Sequence, residues 1–290
     1  MQKNHKSFSK SWWIWLIPAA IILGIFYLFP LIDVIRLSFT DSRVGSPHFS
    51  YTLSKYVNIL REGEFYRILG ITFIFVGGSV FFQLLLGLLI ALLINKELFG
   101  NIIVKFSMIT AWVVPGIIAG IIWQIMFSSS SWGIVNYFLS ILKIDKIPFL
   151  YSPGWALFAV TFTNIWRGIG FSGILEYAAL RGIPPELYEA AKIDGANKWQ
   201  QFWNITIPHL KPMLLINCIL ITIFTLNTYD SIYSLTKGGP ADSTTVLSLK
   251  AYKEVFQYLR LGKGSAYAVI LLLISVLLTF VYFKFQEEEE

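Results

Sequence analysis

The residues that could perform covalent chemistry or bind a metal are few, and they lie far apart along this chain. The candidate metal ligands stand on separate segments, without the short spacings of a metal site: His5, His48, His209 and Cys218. The run Gly-Lys-Gly at residues 262–264 falls short of a phosphate-binding loop, because Gln257 stands where the first glycine is needed and Gly264 replaces the hydroxyl residue. The sequence therefore predicts no catalytic residue, no metal site, no cofactor and no enzymatic activity in this chain.

Polar side chains inside two long apolar runs form a second set that could act on another molecule. Polar groups at membrane depth are costly, so they usually face a cavity or a partner. The set comprises Asn164, Trp166 and Arg167 in one run, and Thr225, Asn227, Tyr229 and Asp230 at the end of the other. We interpret all of them except Arg167 as candidates for lining a solute path. The alternative for each is a hydrogen bond between helices or an anchor at the membrane interface, and Arg167 with Asp230 could form an ion pair or a gate.

The polar segment between these two runs, residues 176–211, has the pattern of two short helices. Pro184 and Pro185 suit a helix start, because proline has a fixed φ and lacks only a donor that is not needed there. Gly195 suits the end of that helix, and Asn197 begins a capping-box pattern for a second one. We expect this second helix to end at Pro208.

A knuckle that is almost free of side chains lies between these two helices. It consists of Glu189, Ala190, Ala191, Asp194, Gly195 and Ala196. A surface this small can insert closely into a groove of another protein, with its two carboxylates at the edge. The alternative is that the segment packs against the helices of its own chain.

Six apolar runs must position these residues. A helix needs about 20 mostly apolar residues to cross a bilayer, and in lipid its backbone groups must pair within the helix. The runs cover residues 12–32, the segment between Arg67 and Lys96, residues 106–127, residues 153–175, the segment between Lys211 and Asp230, and the segment between Lys263 and Lys284. Only 14% of the residues are charged, against about 25% in soluble domains. We predict an all-α polytopic membrane protein with six transmembrane helices.

The charge distribution leaves the orientation in the membrane open. Six spans place both termini on the same side as residues 176–211. Basic residues should be more numerous on the cytoplasmic side, but ten Lys and Arg residues fall on the side of the termini and twelve on the other. The basic residues are scattered between apolar runs, which favours contact with a lipid bilayer and predicts no binding of nucleic acid.

The knuckle and the residues after it resemble the signature of a known family. The chain reads Glu189-Ala190-Ala191-x-x-Asp194-Gly195-Ala196, followed by Phe202, Ile205 and Pro208. This pattern resembles the EAA loop of permease subunits in binding-protein-dependent ABC importers, with Ile207 where leucine is common. The later run Gly238-Gly239-Pro240, with residues 245–256, resembles a loop of the carbohydrate branch of that family. The similarity extends over residues 65–283.

The resemblance implies a MetI-like ABC type-1 permease. It implies that residues 1–64 contain the N-terminus, which is cytoplasmic, then the first transmembrane helix and then an extracytoplasmic loop. Residues 65–283 would form the ABC type-1 transmembrane domain, and residues 284–290 a cytoplasmic acidic tail. In such permeases the knuckle couples the chain to an ATPase subunit, so both termini would be cytoplasmic in a prokaryotic inner membrane. An asparagine near the position of Asn227 contacts sugar in similar permeases.

The partners that the resemblance implies are a second homologous permease, two ATPase subunits that bind ATP and Mg²⁺, and an extracytoplasmic solute-binding protein. The expected function is translocation of a sugar or oligosaccharide by alternating access, driven by the separate ATPase. One alternative is a permease of the same family for a non-sugar solute, such as a phosphorylated polyol. The other is a membrane scaffold that transports nothing.

Overall fold

The computed structural model describes residues 12–46, 49–96, 99–130 and 132–287. Its helices, in chain order, are α1 (Trp12–Leu23), α2 (Phe29–Ser38), α3 (Ser54–Arg61), α4 (Gly63–Asn95), α5 (Asn101–Val113), α6 (Gly116–Met126), α7 (Ile134–Ile141), α8 (Pro153–Arg181), α9 (Pro185–Ile193), α10 (Lys198–Gln201), α11 (Ile207–Leu226), α12 (Asp230–Thr236), α13 (Leu247–Tyr252) and α14 (Leu261–Glu287). Short π-helical stretches follow α1, α10 and α13: Gly24–Leu28, Phe202–Thr206 and Lys253–Gln257. Within the described ranges, the only β pairing is an isolated bridge between Thr40 and Tyr51. The predicted all-α class is confirmed.

Four helical stretches are long and apolar enough to cross a membrane. They are Trp15–Ser38, Gly63–Asn95, Lys198–Leu226 and Leu261–Lys284. Large apolar side chains remain exposed along them, such as Ile74 and Phe81 of α4, as a lipid-facing surface requires. These stretches correspond to the first, second, fifth and sixth predicted spans.

The third predicted span is not one straight helix. It consists of α5 and α6, which are bent by 107° relative to each other. The break lies at Val114 and Pro115, both of which have extended backbone angles. Proline lacks the donor that would continue a helix and pushes the residue before it out of the helical region.

The fourth predicted span is the continuous helix α8, which has 29 residues. At about 1.5 Å per residue it is roughly 43 Å long, so its length would cross a bilayer, although it is not among the stretches that are also apolar enough. It continues past the expected end near Leu175 as far as Arg181, so Glu176 is helical and the connection to α9 is much shorter than predicted. The count of six spans itself stays a prediction.

The described chain divides into two compact units. One comprises the residues up to Arg61 together with Ala251–Ile270, and the other comprises Glu62–Lys250 with the residues from Leu271 onward. In the first unit, backbone hydrogen bonds from Val44 to Leu259 and from Gly262 to Ser42 tie the loop after α2 to the start of α14. The predicted boundaries at residues 64 and 283 stay predictions.

The second unit is built around α4, α8 and α11, with α5 packed on α8 and α6 packed on α12. Small residues let these helices approach closely. A methyl group on Gly87 of α4 would lie 2.9 Å from Cβ of Ser172 in α8. A methyl group on Gly170 of α8 would collide with the carbonyl oxygen of Met108 in α5.

Candidate functional site

A polar cavity of about 440 Å³ lies inside the second unit. Side chains of α4, α5, α8 and α11 and the residues that lead into α12 form its wall. The polar lining consists of Gln83, Asn164, Arg167, Thr225, Asn227, Thr228, Tyr229 and Asp230, and the aromatic lining includes Trp112, Phe171 and Phe224. Five of the six predicted solute-path residues therefore meet at this cavity: Asn164, Thr225, Asn227, Tyr229 and Asp230. Trp166 is not among the lining residues and packs against Trp123 at 5.6 Å between ring centroids.

Asn164 connects three of the helices that form the cavity wall. Its Nδ2 donates to Oγ of Ser79 in α4 at 2.9 Å and to Oγ1 of Thr225 in α11 at 3.2 Å. The residue is buried, and both hydrogens of its amide group are used. Asn164 therefore holds the wall together, and only its carbonyl oxygen remains to meet a ligand.

Asn227 lies at the end of α11 and is exposed. Its Nδ2 donates to the carbonyl oxygen of Ile223 at 2.8 Å. This bond fixes the orientation of the side chain and leaves the amide oxygen and one amide hydrogen available to a bound molecule. Asn227 can thus offer both an acceptor and a donor from a fixed position.

Arg167 and Asp230 lie on the same wall of the cavity, with Nη1 and Oδ2 4.0 Å apart. The other oxygen of Asp230 accepts a hydrogen bond from the backbone N–H of Ser231 at 2.8 Å. Gly116, the first residue of α6, packs onto this pair, since a methyl group there would collide with both charged groups. The break between α5 and α6 therefore lies directly against the ion pair.

The aromatic part of the cavity wall is formed by residues of α5, α8 and α11. The ring of Phe171 contacts Trp112 at 5.4 Å and Phe224 at 5.8 Å between centroids. Gln83 adds a hydrogen-bonding amide from α4, and Gly168 leaves the space for it, because a methyl group at position 168 would collide with that amide. The cavity combines hydrogen-bonding groups with flat apolar surfaces.

Four further lining residues were not predicted from the sequence: Gln83, Trp112, Phe171 and Phe224. Gln83 carried a usable signal, because it is a polar residue within an apolar run and so meets the criterion that selected Asn164 and Asn227. The three aromatic residues carried none, since a ring that faces lipid and a ring that faces a cavity have the same type and similar spacing.

The predicted pair of helices around the knuckle is present as α9 and α10. Pro185 begins α9, and Gly195 adopts a φ of +81° after its end, a conformation that glycine reaches without strain. The capping box is complete: the backbone N–H of Gln200 donates to the side chain of Asn197 at 2.9 Å, and the N–H of Asn197 donates to the side chain of Gln200 at 2.8 Å.

The expected helix stop at Pro208 was wrong. The helix that starts at Lys198 continues to Leu226 through the π-helical stretch Phe202–Thr206. A proline removes one backbone donor from a helix. The wider hydrogen-bond spacing of the π-helical stretch just before Pro208 accommodates that loss, so the knuckle connects directly to α11.

The knuckle has one anchored side and one exposed side. On the anchored side, the hydroxyl groups of Tyr188 and Thr206 lie 2.9 Å apart. Beneath them is a buried apolar cluster of Ala91, Leu180, Ile183 and Leu210. On the exposed side, Glu189, Ala190, Asp194 and Gly195 face outward, and Ala191 and Ala196 are partly exposed. Two large apolar side chains beside them are also exposed, Ile193 by 87% and Trp199 by 69%, which is typical of a surface that contacts another protein.

Comparisons with known proteins agree with one another. Residues 83–287 match the family described as "Binding-protein-dependent transport system inner membrane component". The chain is 34% identical, over 280 residues that cover 95% of it and 93% of the relative, to the trehalose/maltose transport system permease protein MalF of Thermococcus litoralis.

Two solved structures have similar folds along nearly the whole chain. One is a bacterial ABC transporter involved in the import of the acidic polysaccharide alginate, with a TM-score of 0.82, 25% identity, and coverage of 95% of this chain and 94% of that chain. The other is a bacterial alginate ABC transporter in complex with an alginate pentasaccharide-bound periplasmic protein, with a TM-score of 0.80, 25% identity, and coverage of 93% and 91%.

Proposed function

We propose the following function for this chain, which belongs to the family of binding-protein-dependent transport system inner membrane components. The chain is the permease subunit of an ABC importer and translocates a sugar or an oligosaccharide across the membrane. The cavity described above is the part of the solute path that this subunit supplies. A separate ATPase subunit drives the movement through the knuckle.

One observation carries this proposal: two of the helices that form the cavity wall, α8 and α11, also lead to the knuckle. Helix α8 contributes Asn164 and Arg167 to the cavity and ends just before α9. Helix α11 follows α10, contributes Thr225 and ends just before Asn227. Displacement of the knuckle would therefore move the parts of the cavity wall that α8 and α11 supply. This arrangement supports alternating access, in which helices rearrange around a central binding site.

The lining of the cavity suits a sugar. Hydroxyl groups need donors and acceptors at fixed positions, which Asn227, Gln83 and Thr228 can offer. The apolar C–H faces of a sugar ring can pack on an aromatic surface such as the one formed by Trp112 and Phe171. The side chains that match the solute thus come from α4, α5, α8 and the residues that follow α11.

The partners and the orientation belong to the proposal. We expect a second homologous permease, two ATPase subunits that bind ATP and Mg²⁺, and an extracytoplasmic solute-binding protein. Both termini and the knuckle would face the cytoplasm. The subunit itself would perform no covalent chemistry, since ATP hydrolysis takes place in the partner.

The alternative of a phosphorylated polyol as solute has less support. In the described part of the chain, Arg167 is the one cationic side chain that lines the cavity, and it faces Asp230. A phosphate group would compete with that carboxylate for the guanidinium and be repelled by it. A non-transporting scaffold would have no use for a cavity whose wall joins an exposed knuckle.

Transport by the assembled complex tests the proposal. The chain should be co-expressed with the second permease, ATPase and solute-binding protein encoded beside it, and reconstituted into vesicles. We expect ATP-dependent uptake of maltose, trehalose or a longer oligosaccharide, and no uptake of glycerol 3-phosphate. A complex that fails to retain the ATPase subunit, or one that accumulates glycerol 3-phosphate and no sugar, would contradict the proposal.

A further inference from the structure

Glu176 is a carboxyl group that lies fully inside the protein, away from the cavity lining and from the exposed side of the knuckle. It stands in the last two turns of α8, and its exposed fraction is 0%. Among the residues that the structure describes, its only polar partner is Asn217, and no cation pairs with it. A buried carboxyl group without a cation is costly to keep, so its presence calls for a specific role.

The carboxyl group forms a direct connection between α8 and α11. Nδ2 of Asn217 donates to Oε1 of Glu176 at 2.9 Å, and Asn217 is itself fully buried. Ser172, one turn earlier in α8, adds a longer contact from its hydroxyl group to Oδ1 of Asn217 at 3.5 Å. One asparagine of α11 is thus bonded to two positions of α8.

Helix α4, the third helix of the core, shields this hydrogen bond from water. Oε2 of Glu176 has no hydrogen-bond partner in the described ranges. It faces Gly87 of α4, where a methyl group would lie 2.9 Å from this oxygen. Water is excluded there because α4 passes so closely, and a hydrogen bond in such surroundings is stronger than one in contact with solvent.

The connection lies between the knuckle and the cavity. Along α8, Glu176 follows the cavity residue Arg167 by about 13 Å, and along α11, Asn217 precedes the cavity residue Thr225 by about 12 Å, at 1.5 Å per helical residue. On the other side, both helices lead to α9 and α10. A movement of the knuckle that is transmitted along α8 or α11 therefore passes this point before it reaches the cavity.

We propose that Glu176 and Asn217 form a joint that makes α8 and α11 move as one body when the knuckle is displaced. Glu176 is a positioning residue in this joint: it supplies an acceptor oxygen for Asn217, and its negative charge is not required. Without the hydrogen bond, the long contact between Ser172 and Asn217 and the apolar packing remain at this level, and such contacts can slide. This inference rests on the proposed function of the chain as a permease driven by an ATPase.

The ratio of sugar transported to ATP hydrolysed tests the joint, measured on the complete reconstituted transporter. Glu176→Gln keeps the acceptor and removes the charge, so we expect the ratio of the unmodified protein. Glu176→Leu and Asn217→Leu each remove the bond, and we expect each to lower the ratio roughly five- to tenfold while ATP hydrolysis continues. The double variant should be no worse than either single one, because both changes remove the same interaction.

Two further variants distinguish the joint from a general loss of buried polar groups. Thr222→Val removes a buried hydroxyl group of the same helix α11 that contacts Tyr282 at 3.2 Å instead of α8, and we expect it to leave the ratio unchanged. Glu176→Gln combined with Asn217→Asp reverses the direction of the hydrogen bond, and we expect it to restore coupling. This reversed pair and Glu176→Gln keep the inference testable even if the leucine variants fail to fold, because loss of coupling in either one would overturn it.

The outcomes separate this inference from the function on which it rests. Failure of the unmodified chain to retain an ATPase subunit would remove the proposed function. An intact complex in which Glu176→Leu transports with an unchanged ratio would overturn the joint alone. Loss of coupling in Glu176→Gln, with the complex still assembled, would overturn it as well, because the charge would then be essential.

Discussion

Nη1 of Arg167 and Oδ2 of Asp230 lie 4.0 Å apart at the edge of the cavity, where the first residue of α6 packs against both groups. The two charges belong to α8 and α12, and the break between α5 and α6 meets them. The polar side of the cavity and the bend between α5 and α6 are therefore one structural feature. A substitution that alters the bend should therefore also alter the ion pair, and a substitution in the ion pair should alter the bend.

Replacement of Asn227 by alanine tests the solute path. The side chain offers an acceptor and a donor at the cavity, and loss of a neutral hydrogen bond costs about 1 kcal/mol, so we expect the KM for sugar uptake to rise roughly fivefold. Uptake of labelled sugar into vesicles measures the effect, with co-purification of the subunits as the control for assembly. Asn58→Ala, at an exposed position of α3, provides the matched variant. Unchanged uptake kinetics in Asn227→Ala would remove this residue from the path.

Replacement of Gly195 by tryptophan tests the knuckle. Apart from its chain neighbours, no described residue has an atom within 4 Å of a methyl group at this position, so a large side chain would project from the knuckle and block insertion into a groove. We expect substrate-stimulated ATP hydrolysis and transport to fall together, with the permease still folded.

Gly195→Asn is the control for the backbone at this position. Its φ is +81°, and asparagine adopts this region more readily than other residues with a side chain. The asparagine variant should therefore remain coupled. If the tryptophan variant hydrolyses ATP in response to substrate as the unmodified protein does, the knuckle is not the contact.

Replacement of Gly116 by alanine tests the packing at the break. The added methyl group collides with Asp230 and Arg167, and overpacking of this kind costs about 1–3 kcal/mol. We expect a lower Tm for the purified protein in detergent. Gly77→Ala is the matched control, because a methyl group there meets no atom within 4 Å and alanine favours the helix. Equal Tm values for the two variants would show that the contact at Gly116 is not tight.

Much of the fold follows from local signals in the sequence. The prolines at the start of α9, the positive φ of Gly195 and the capping box at Asn197 are properties of a few neighbouring residues, and the structure contains all three. Long apolar runs predicted the membrane-crossing stretches for a similar reason, because the bilayer sets the required length directly.

One failure has a local cause, and the others arose where distant residues decide the outcome. Pro208 did not end its helix, because the wider hydrogen-bond spacing of the π-helical stretch before it accommodates the missing backbone N–H group. Glu176 was expected to begin a loop, but it is buried in the core. There it accepts a hydrogen bond from Asn217, which lies 41 residues further along the chain. Apolar periodicity likewise could not reveal that Trp112 faces the cavity while Trp166 packs on Trp123.

The orientation of the knuckle is the prediction that charge counts left open. Cys218 is the only cysteine, so Cys218→Ser gives a background without thiols in which single cysteines can be placed. A cysteine at Ile193, which is 87% exposed, should react with a membrane-impermeant maleimide only from the cytoplasmic side. A cysteine at Tyr151, which is 74% exposed and lies before α8, should react only from the other side.

Cross-linking from position 191 tests most directly whether an ATPase drives this chain through its knuckle. In the Cys218→Ser background, Ala191→Cys is treated with a short bifunctional thiol reagent in the assembled complex, with single cysteines placed in the groove of the ATPase subunit. Ser140→Cys, on α7, is the control that should not cross-link. We predict a cross-linked product that contains this chain and the ATPase subunit, formed from the cytoplasmic side. Modification of Ala191→Cys from the extracytoplasmic side, with no cross-link to the ATPase, would contradict the account.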